Sequence, residues 1–413
     1  MKTVSPGKVS AAIAAALLAG SFVAGSVSAK EEKKPAPEAA VKIASADNTF
    51  GMQLFKQLHK SGENTFISPT SIGVAMQMAN TAAGGDTRTE MDKAMGLEGI
   101  DAKEANKALM AELNSRDGVK LAMANSIWAD PSRINLNEAY VKETQEYFDS
   151  AVRAEDFSDP KTVGVINGWI AGKTNNLIKD MIDEIPENAV TYLINAIYFK
   201  GDWSVKFDKA KTKDADFHLN DGSTKQVKLM SRADKRIRYT TDDNVEVCSL
   251  PYGEDEKAAM WIVLPKEGKD LDTVVNSLSA EQLKTWQGRA WERQGTIKLP
   301  RFKLHYKETL NDSLKALGIN KAFDVDQADF KHLGESKLGP IYISRVLHEA
   351  VVIVNEEGTE AAAATVVEMA AGGAAPPKPF NMVCDRPFLF YITDKDTGAI
   401  LFMGTCYNPD NPD

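Results

Sequence analysis

The sequence predicts a mixed α and β protein that folds as one domain over residues 46–410. Three observations carry that prediction. Apolar residues recur at helical spacing through the first third of the chain. Runs rich in β-formers dominate after Pro186. No long linker and no internal repeat divide residues 46–410, so a chain of 413 residues is read as one domain against a length prior of roughly two or three.

Residues 1–29 stand apart. Lys2 and Lys8 are their only charges, residues 9–27 are almost wholly small or aliphatic, and Val27-Ser28-Ala29 offers small residues before a cleavage site. That pattern reads as a secretory signal peptide cleaved near Ala29, giving a secreted or periplasmic product. An uncleaved anchor is the alternative, and the segment is short and weakly apolar for a span. No other apolar run reaches span length, so no membrane span is expected in the mature chain. Residues 30–45 are charged, Pro-bearing and poor in large apolar residues, and are read as a linker.

Phe50, Leu54, Phe55 and Leu58 predict a first helix with Asp47 or Asn48 as its cap. Phe66-Ile67-Ser68-Pro69 breaks it, and helices over 71–81 and 87–95 flank Gly84-Gly85-Asp86. A strand is expected over 120–128, a helix over 138–148 and an amphipathic helix over 163–182. Residues 190–199 suit a buried central strand. Strands at 227–230, 245–250, 259–264 and 296–299 follow, then a helix at 309–317. Strands at 342–355, 388–393 and 400–404 end the chain.

The composition is 43% apolar and 26% charged, which excludes global disorder, a collagen and a coiled-coil rod. With 49 basic against 58 acidic side chains the formal charge is −9, so nothing draws the chain to nucleic acid or an anionic membrane. No dense basic helix marks a heparin-like cofactor site. Cys248, Cys384 and Cys406 allow at most one disulfide, and the reading favours three buried thiols. There is no Gly-x-Ser-x-Gly elbow, zinc helix, Cys-x-x-Cys pair, Walker loop or dinucleotide fingerprint. His59, His218, His305, His332 and His348 are scattered. The chain is therefore read as no enzyme, without metal or cofactor; a Ser, His and Asp set meeting in space is the residual enzyme alternative.

The informative stretch is 351–379. Val351-Val352-Ile353-Val354 signals a buried strand and runs into Asn355-Glu356-Glu357-Gly358-Thr359-Glu360-Ala361-Ala362-Ala363-Ala364-Thr365. The alanines alone would permit a helix, and the later Gly and Pro a flexible linker. Neither accounts for the alternation at period two. Thr359, Ala361, Ala363, Thr365, Val367 and Met369 make a small-to-apolar face, whereas the other face carries Glu360 and Glu368. This suits a strand that enters a sheet between packed neighbours, with Gly358 as a permissive pivot.

The stretch resembles the reactive-centre loop of a serpin, with Glu356 to Thr365 as its proximal hinge. The resemblance extends further. Asn64-Thr65-Phe66-Ile67-Ser68-Pro69 with Ser71 is similar to the start of the family's second helix. Asn195-Ala196-Ile197-Tyr198-Phe199-Lys200-Gly201-x-Trp203 with Phe207, Thr212 and Phe217 resembles the strand and turn beneath the insertion point. Asn167-x-Trp169, Asp385-Arg386-Pro387-Phe388 and Leu401-Phe402-Met403-Gly404 match other family motifs, so coverage runs from about 46 to 409.

The resemblance implies a single domain with three β-sheets, about nine helices and an exposed loop over 355–380. It implies a monomeric suicide substrate for a serine protease, held in a covalent acyl-enzyme while the cut loop inserts into the central sheet. Counting from Glu356 puts the P1 residue at Gly372 and the scissile bond at Gly372–Gly373; Met369, Ala370, Ala371 and Ala374 stand as alternatives. Small residues there favour an elastase-like target. The hinge comprises Glu356, Gly358, Thr359, Glu360, Ala361, Ala362, Ala363 and Ala364. Ser68, Ser71, Asn195 and His348 match the cluster that controls opening of the central strands. Arg301 pairs with Glu356 where the loop enters, above Trp203, and as an exposed pair contributes roughly 0–1 kcal/mol. The rivals are a non-inhibitory carrier or chaperone-like serpin, an inhibitor of cysteine proteases, and a cell-envelope binding protein with a protease-sensitive linker.

Overall fold

The computed structural model describes residues 35–116, 119–359 and 378–412. The leader over 1–29, and Glu360, Ala361, Ala362, Ala363, Ala364, Gly372 and Gly373, lie outside the described residues.

Nine α-helices are described: α1 Glu38–Leu58, α2 Pro69–Ala82, α3 Gly85–Met95, α4 Ala102–Asn114, α5 Glu138–Phe148, α6 Thr162–Lys173, α7 Leu271–Ser277, α8 Ala280–Arg289 and α9 Asn311–Ala316. The strands of the first half are β1 Thr65–Ile67, β2 Val119–Ala129, β3 Ile134–Leu136, β4 Ala151–Ala154, β5 Thr191–Asp202, β6 Lys213–His218 and β7 Thr224–Thr241. Those of the second half are β8 Val245–Tyr252, β9 Ala258–Pro265, β10 Trp291–Pro300, β11 Phe302–Thr309, β12 Gly334–Ser336, β13 Leu347–Val354, β14 Gly358–Thr359, β15 Phe380–Val383, β16 Phe388–Asp394 and β17 Ile400–Cys406.

Hydrogen-bond ladders sort these strands into four sheets among the described residues, where three were expected. The largest runs β1-β17-β16-β9-β8-β7-β10-β15, with β6 on β7. It is continuous because the 18-residue β7 pairs with β8 at one end and with β6 and β10 along the rest. The second is β14-β5-β2-β4, the third β11-β13 and the fourth the short β12-β3 pair. The second and third are separate because below Thr359 no ladder joins β5 to β13 among the described residues. Helix α2 is buried on nearly every side. Its N-terminus meets β5, β13 and β17 through side-chain hydrogen bonds.

Several expectations need correction. Helix α1 begins at Glu38, so the linker over 30–45 and the domain start at 46 are too late; Ala40, Ile43 and Ala44 form a buried face at helical spacing. Asp47 and Asn48 are therefore not caps. Asp47 is buried against Gln77, and Asn48 bonds Gly398 and Ile400. The helix expected to run to residue 182 ends at Lys173. Thr174 Oγ1 takes the Ile170 carbonyl (2.8 Å), and Asn175 and Asn176 turn left-handed at φ 52° and 60°. Helices α7 and α8 were read as strand country. Their N-caps, Asp270 and Ser279, accept from Thr273 and Gln282 N–H groups. The helix expected over 309–317 is present as α9, and strand β11 before it was not read from the sequence. Phe302 and Leu304 are buried and alternate with Lys303 and His305. Cys248, Cys384 and Cys406 are free and buried, as the reading favoured. No helix among the described residues is long and apolar enough to cross a membrane.

Candidate functional site

The site grows from the end of β13. After Val354 the chain makes a two-residue turn, with Asn355 N–H donating to the Gly358 carbonyl (3.0 Å) and the Asn355 side chain accepting from Glu357 N–H (3.0 Å). The turn ends at Gly358, whose φ of +146° is closed to side chains. A Cβ there would lie 2.2 Å from the Gly201 carbonyl oxygen and 2.7 Å from Asp202 Cα. Glycine thus lets β14 lie flat on β5, in the antiparallel pairs Gly358↔Asp202 and Thr359↔Gly201. Thr359 is buried, with its hydroxyl 3.1 Å from that of Tyr252.

Trp203 supports this turn in two ways. Its ring stacks on Tyr252 at 4.4 Å, and its Nε1 donates to the Asn355 carbonyl (2.9 Å). Its own N–H donates to Glu357 O, and Phe207 N–H donates to Glu356 O, both at 2.9 Å. Sequence reasoning treated Trp203 as packing; it also satisfies turn carbonyls.

The Arg301–Glu356 pair forms, but it is not exposed. Arg301 Nε lies 2.9 Å from both carboxylate oxygens and Nη2 2.8 Å from one, while the Glu356 side chain is only 2% accessible. Burial acts to raise the Glu356 carboxyl, and the hydrogen bonds from Arg301 and Thr212 outweigh it, so the group sits below its ordinary range. Glu357 is likewise held low, by Lys209 (2.8 Å) and Lys206 (3.1 Å). The turn is clamped on both carboxylates.

Ser68, Ser71, Asn195 and His348 come together some way below, at the N-terminus of α2. Ser68 caps the helix, its Oγ accepting from Ser71 N–H (3.2 Å) and donating to the Leu401 carbonyl on β17 (2.6 Å). Ser68 N–H donates to His348 Nε2 (3.3 Å), Ser71 Oγ donates to Asn195 Oδ1, and Asn195 Nδ2 donates to Asn125 Oδ1 (2.6 Å). Burial pushes His348 down to about 3, which keeps the ring neutral and able to accept. Asn125, Tyr252, Lys206 and Lys209 were missed by sequence reasoning, and Thr212 was read only as part of the turn motif and not as a partner of Glu356. Asn125 sits beside Ser126, two buried polar residues in a mostly apolar strand, which does not say what either one meets.

Together these residues flank the boundary between β5 and β13, here termed the slot. β14 occupies its top between β5 and the β13 hairpin; below, the facing edges of β5 and β13 have no ladder to each other. Such edges accept an added strand.

A family model described as Serpin (serine protease inhibitor) matches residues 45–409. The leukocyte elastase inhibitor of Bos taurus is 34% identical over 382 residues, covering 89% of this chain and 99% of that protein. The solved native state of the thermophilic serpin tengpin is similar at a TM-score of 0.82 and 30% identity, covering 91% of this chain and 96% of that one. Human thyroxine-binding globulin is similar at a TM-score of 0.80 and 26% identity, covering 90% and 100%.

Proposed function

The chain belongs to the serpin family, and from that premise we propose that it is a suicide-substrate inhibitor of serine proteases with an elastase-like target. The observation that carries the reading is the slot: the two residues of β14 pair antiparallel with the end of β5, and no ladder joins β5 to β13 among the described residues. A protease attacks the loop carbonyl and forms an acyl-enzyme. The freed strand, small at Ala361, Ala362, Ala363 and Ala364 and led in by Glu360, adds to the slot and drags the protease with it. Backbone groups left without sheet partners along β5 and β13 gain partners in that step. This chain contributes no catalytic residue; the protease supplies the chemistry.

The P1 residue is read as Gly372 and the bond as Gly372–Gly373. The surrounding Ala370, Ala371 and Ala374 suit a narrow apolar pocket, and no Lys or Arg lies between Glu360 and Pro377 to attract a trypsin-like enzyme. The likeness to a leukocyte elastase inhibitor supports the same target class. The leader over 1–29 would export the protein as a monomer, and N-terminal sequencing of the mature product should begin at Lys30.

The test mixes mature protein with an elastase-like protease, followed by a denaturing gel and mass spectrometry. A gel-stable complex with release of a peptide beginning at Gly373 is expected. Cleavage without a complex, across elastase-like, chymotrypsin-like and papain-like proteases, would overturn inhibition and favour a carrier role like that in the name of thyroxine-binding globulin.

A further inference from the structure

A cavity of about 80 Å³ lies where α2, the first residues of β5 and the segment leading into β13 meet. Met76 and Ala79 of α2, Leu193 of β5 and Val346 give it apolar walls, and Thr191 and Arg345 bring polar groups to it. Its wall carries no Asp, Glu, His or Cys, so nothing there suits a cation.

The polar groups of the wall divide into two sets. Its three tyrosines are provided for. Tyr140 donates to the Met78 carbonyl and Tyr192 to the Glu184 carbonyl, both at 3.2 Å, and the Tyr342 hydroxyl accepts from Asn188 Nδ2 (3.1 Å). Arg345 Nη2 and Thr191 Oγ1 are not. Both atoms are buried with no hydrogen-bond partner among the described residues. Arg345 is otherwise bonded to Tyr192 and pairs with no carboxylate among the described residues.

The backbone on either side of Arg345 is fixed. Asn311 Nδ2 donates to the Ser344 carbonyl and Asn311 Oδ1 accepts from Val346 N–H, both at 2.8 Å. Leu310 N–H donates to the Val346 carbonyl (2.9 Å). The guanidinium is thus presented from a held segment and is set in place before any ligand arrives.

A buried guanidinium N–H without an acceptor is costly. Its charge is permanent, so the acceptor that answers it best is an anion. A carboxylate has two oxygens, one for the Arg345 N–H and one for the Thr191 hydroxyl. The apolar walls ask for a hydrocarbon tail. A dry aliphatic cavity of about 150 Å³ admits benzene, so about 80 Å³ suits a chain of roughly three carbons.

We propose that this cavity is a binding site for a short aliphatic monocarboxylate, with butanoate as its representative. The carboxylate accepts from Arg345 Nη2 and Thr191 Oγ1, and the propyl chain lies against Met76, Ala79, Leu193 and Val346. The site uses no residue of the loop, so it stands apart from the inhibitory reading. Its walls belong to three elements, so an occupant ties α2, β5 and the approach to β13 together and stabilises the intact protein by mass action.

The test is calorimetric titration of the intact chain with sodium butanoate, beside acetate, butan-1-ol and n-butylammonium. Butanoate should bind one to one and raise the Tm as its concentration rises. Acetate lacks the tail and butan-1-ol the charge, so each should bind roughly tenfold more weakly, and butylammonium should not bind. Arg345→Gln should weaken butanoate by roughly tenfold or more and Thr191→Val by several-fold. Ala79→Leu fills the cavity and should abolish binding with Arg345 still in place. Thr191→Val and the ligand series keep the test open if Arg345→Gln does not fold. Absence of saturable butanoate binding would overturn the proposal. So would equal affinity for acetate, which means an adventitious ion only, or for butan-1-ol, which means an apolar cavity with no anion site. Undiminished binding by both Arg345→Gln and Thr191→Val would place the ligand elsewhere and overturn it too.

Discussion

Gly358 shows how one residue type decides the local structure. Its φ of +146° and the 2.2 Å approach to the Gly201 carbonyl leave no room for a side chain. Gly358→Ala should destabilise the intact protein by about 1–3 kcal/mol through backbone strain. Chemical denaturation checks this, and an unchanged midpoint would show that β14 does not lie on β5 as described. Arg301 is decisive for a different reason. Its partner Glu356 is buried, so Arg301→Ala would leave a buried carboxylate without a cation, at a cost of roughly 3–5 kcal/mol. The sign with pH follows from the lowered Glu356 carboxyl. Its contribution is complete above the ordinary carboxylate value and is lost as pH falls through the lower folded value. Arg301→Ala should therefore flatten the acid limb of the stability profile as well as lower its plateau.

At the scale of elements, the N-terminus of α2 is tied to three strands at once: to β13 through His348, to β5 through Asn195 and to β17 through Leu401. On the insertion reading proposed above, a strand entering between β5 and β13 must pass this knot, so the knot must loosen. His348 makes the knot sensitive to acid. Burial holds the ring neutral, and the proton it refuses is bound by the unfolded chain below about 6.5. Stability is fully present above that value and should fall by about 1.4 kcal/mol per pH unit between there and about 3. His348→Gln should show a shallower acid slope; identical slopes would remove the histidine from the account. The four knot residues were legible in the sequence only through resemblance, because Ser68, Asn195 and His348 lie in separate motifs with no local periodicity to join them. Asn125 was not legible at all without knowing which strand faces β5. Strands β2, β5, β16 and β17 and helix α5 were read from apolar patterning, since both faces or one whole stripe are buried. Helices α7 and α8 were missed because each buries only a few residues and is set mainly by its cap. The onset of α1 was missed because alanine and glutamate look like linker until their buried spacing is seen.

For the whole molecule, the arrangement amounts to a sheet assembled one strand short. β5 belongs to one ladder set and β13 to another, and only the two residues of β14 span the interval. On the insertion reading proposed above, completing it would extend β14 along β5, where two of twelve residues are already paired, and along the eight residues of β13, each added hydrogen bond worth about 0.5–1.5 kcal/mol net. On the proposed inhibitory reading the completed state is the more stable one and the intact protein is held by a barrier. The loop-cleaved protein should accordingly melt far above the intact form in a calorimeter. Thr359→Arg supplies the control. Thr359 is the first inward-facing residue, buried against Tyr252, and an arginine there cannot follow β14 into the slot. That variant should still be cut by the protease, yet form no stable complex and gain little on cleavage. If it inhibited normally, insertion would not begin at β14, and the slot would be an incidental gap between two sheets.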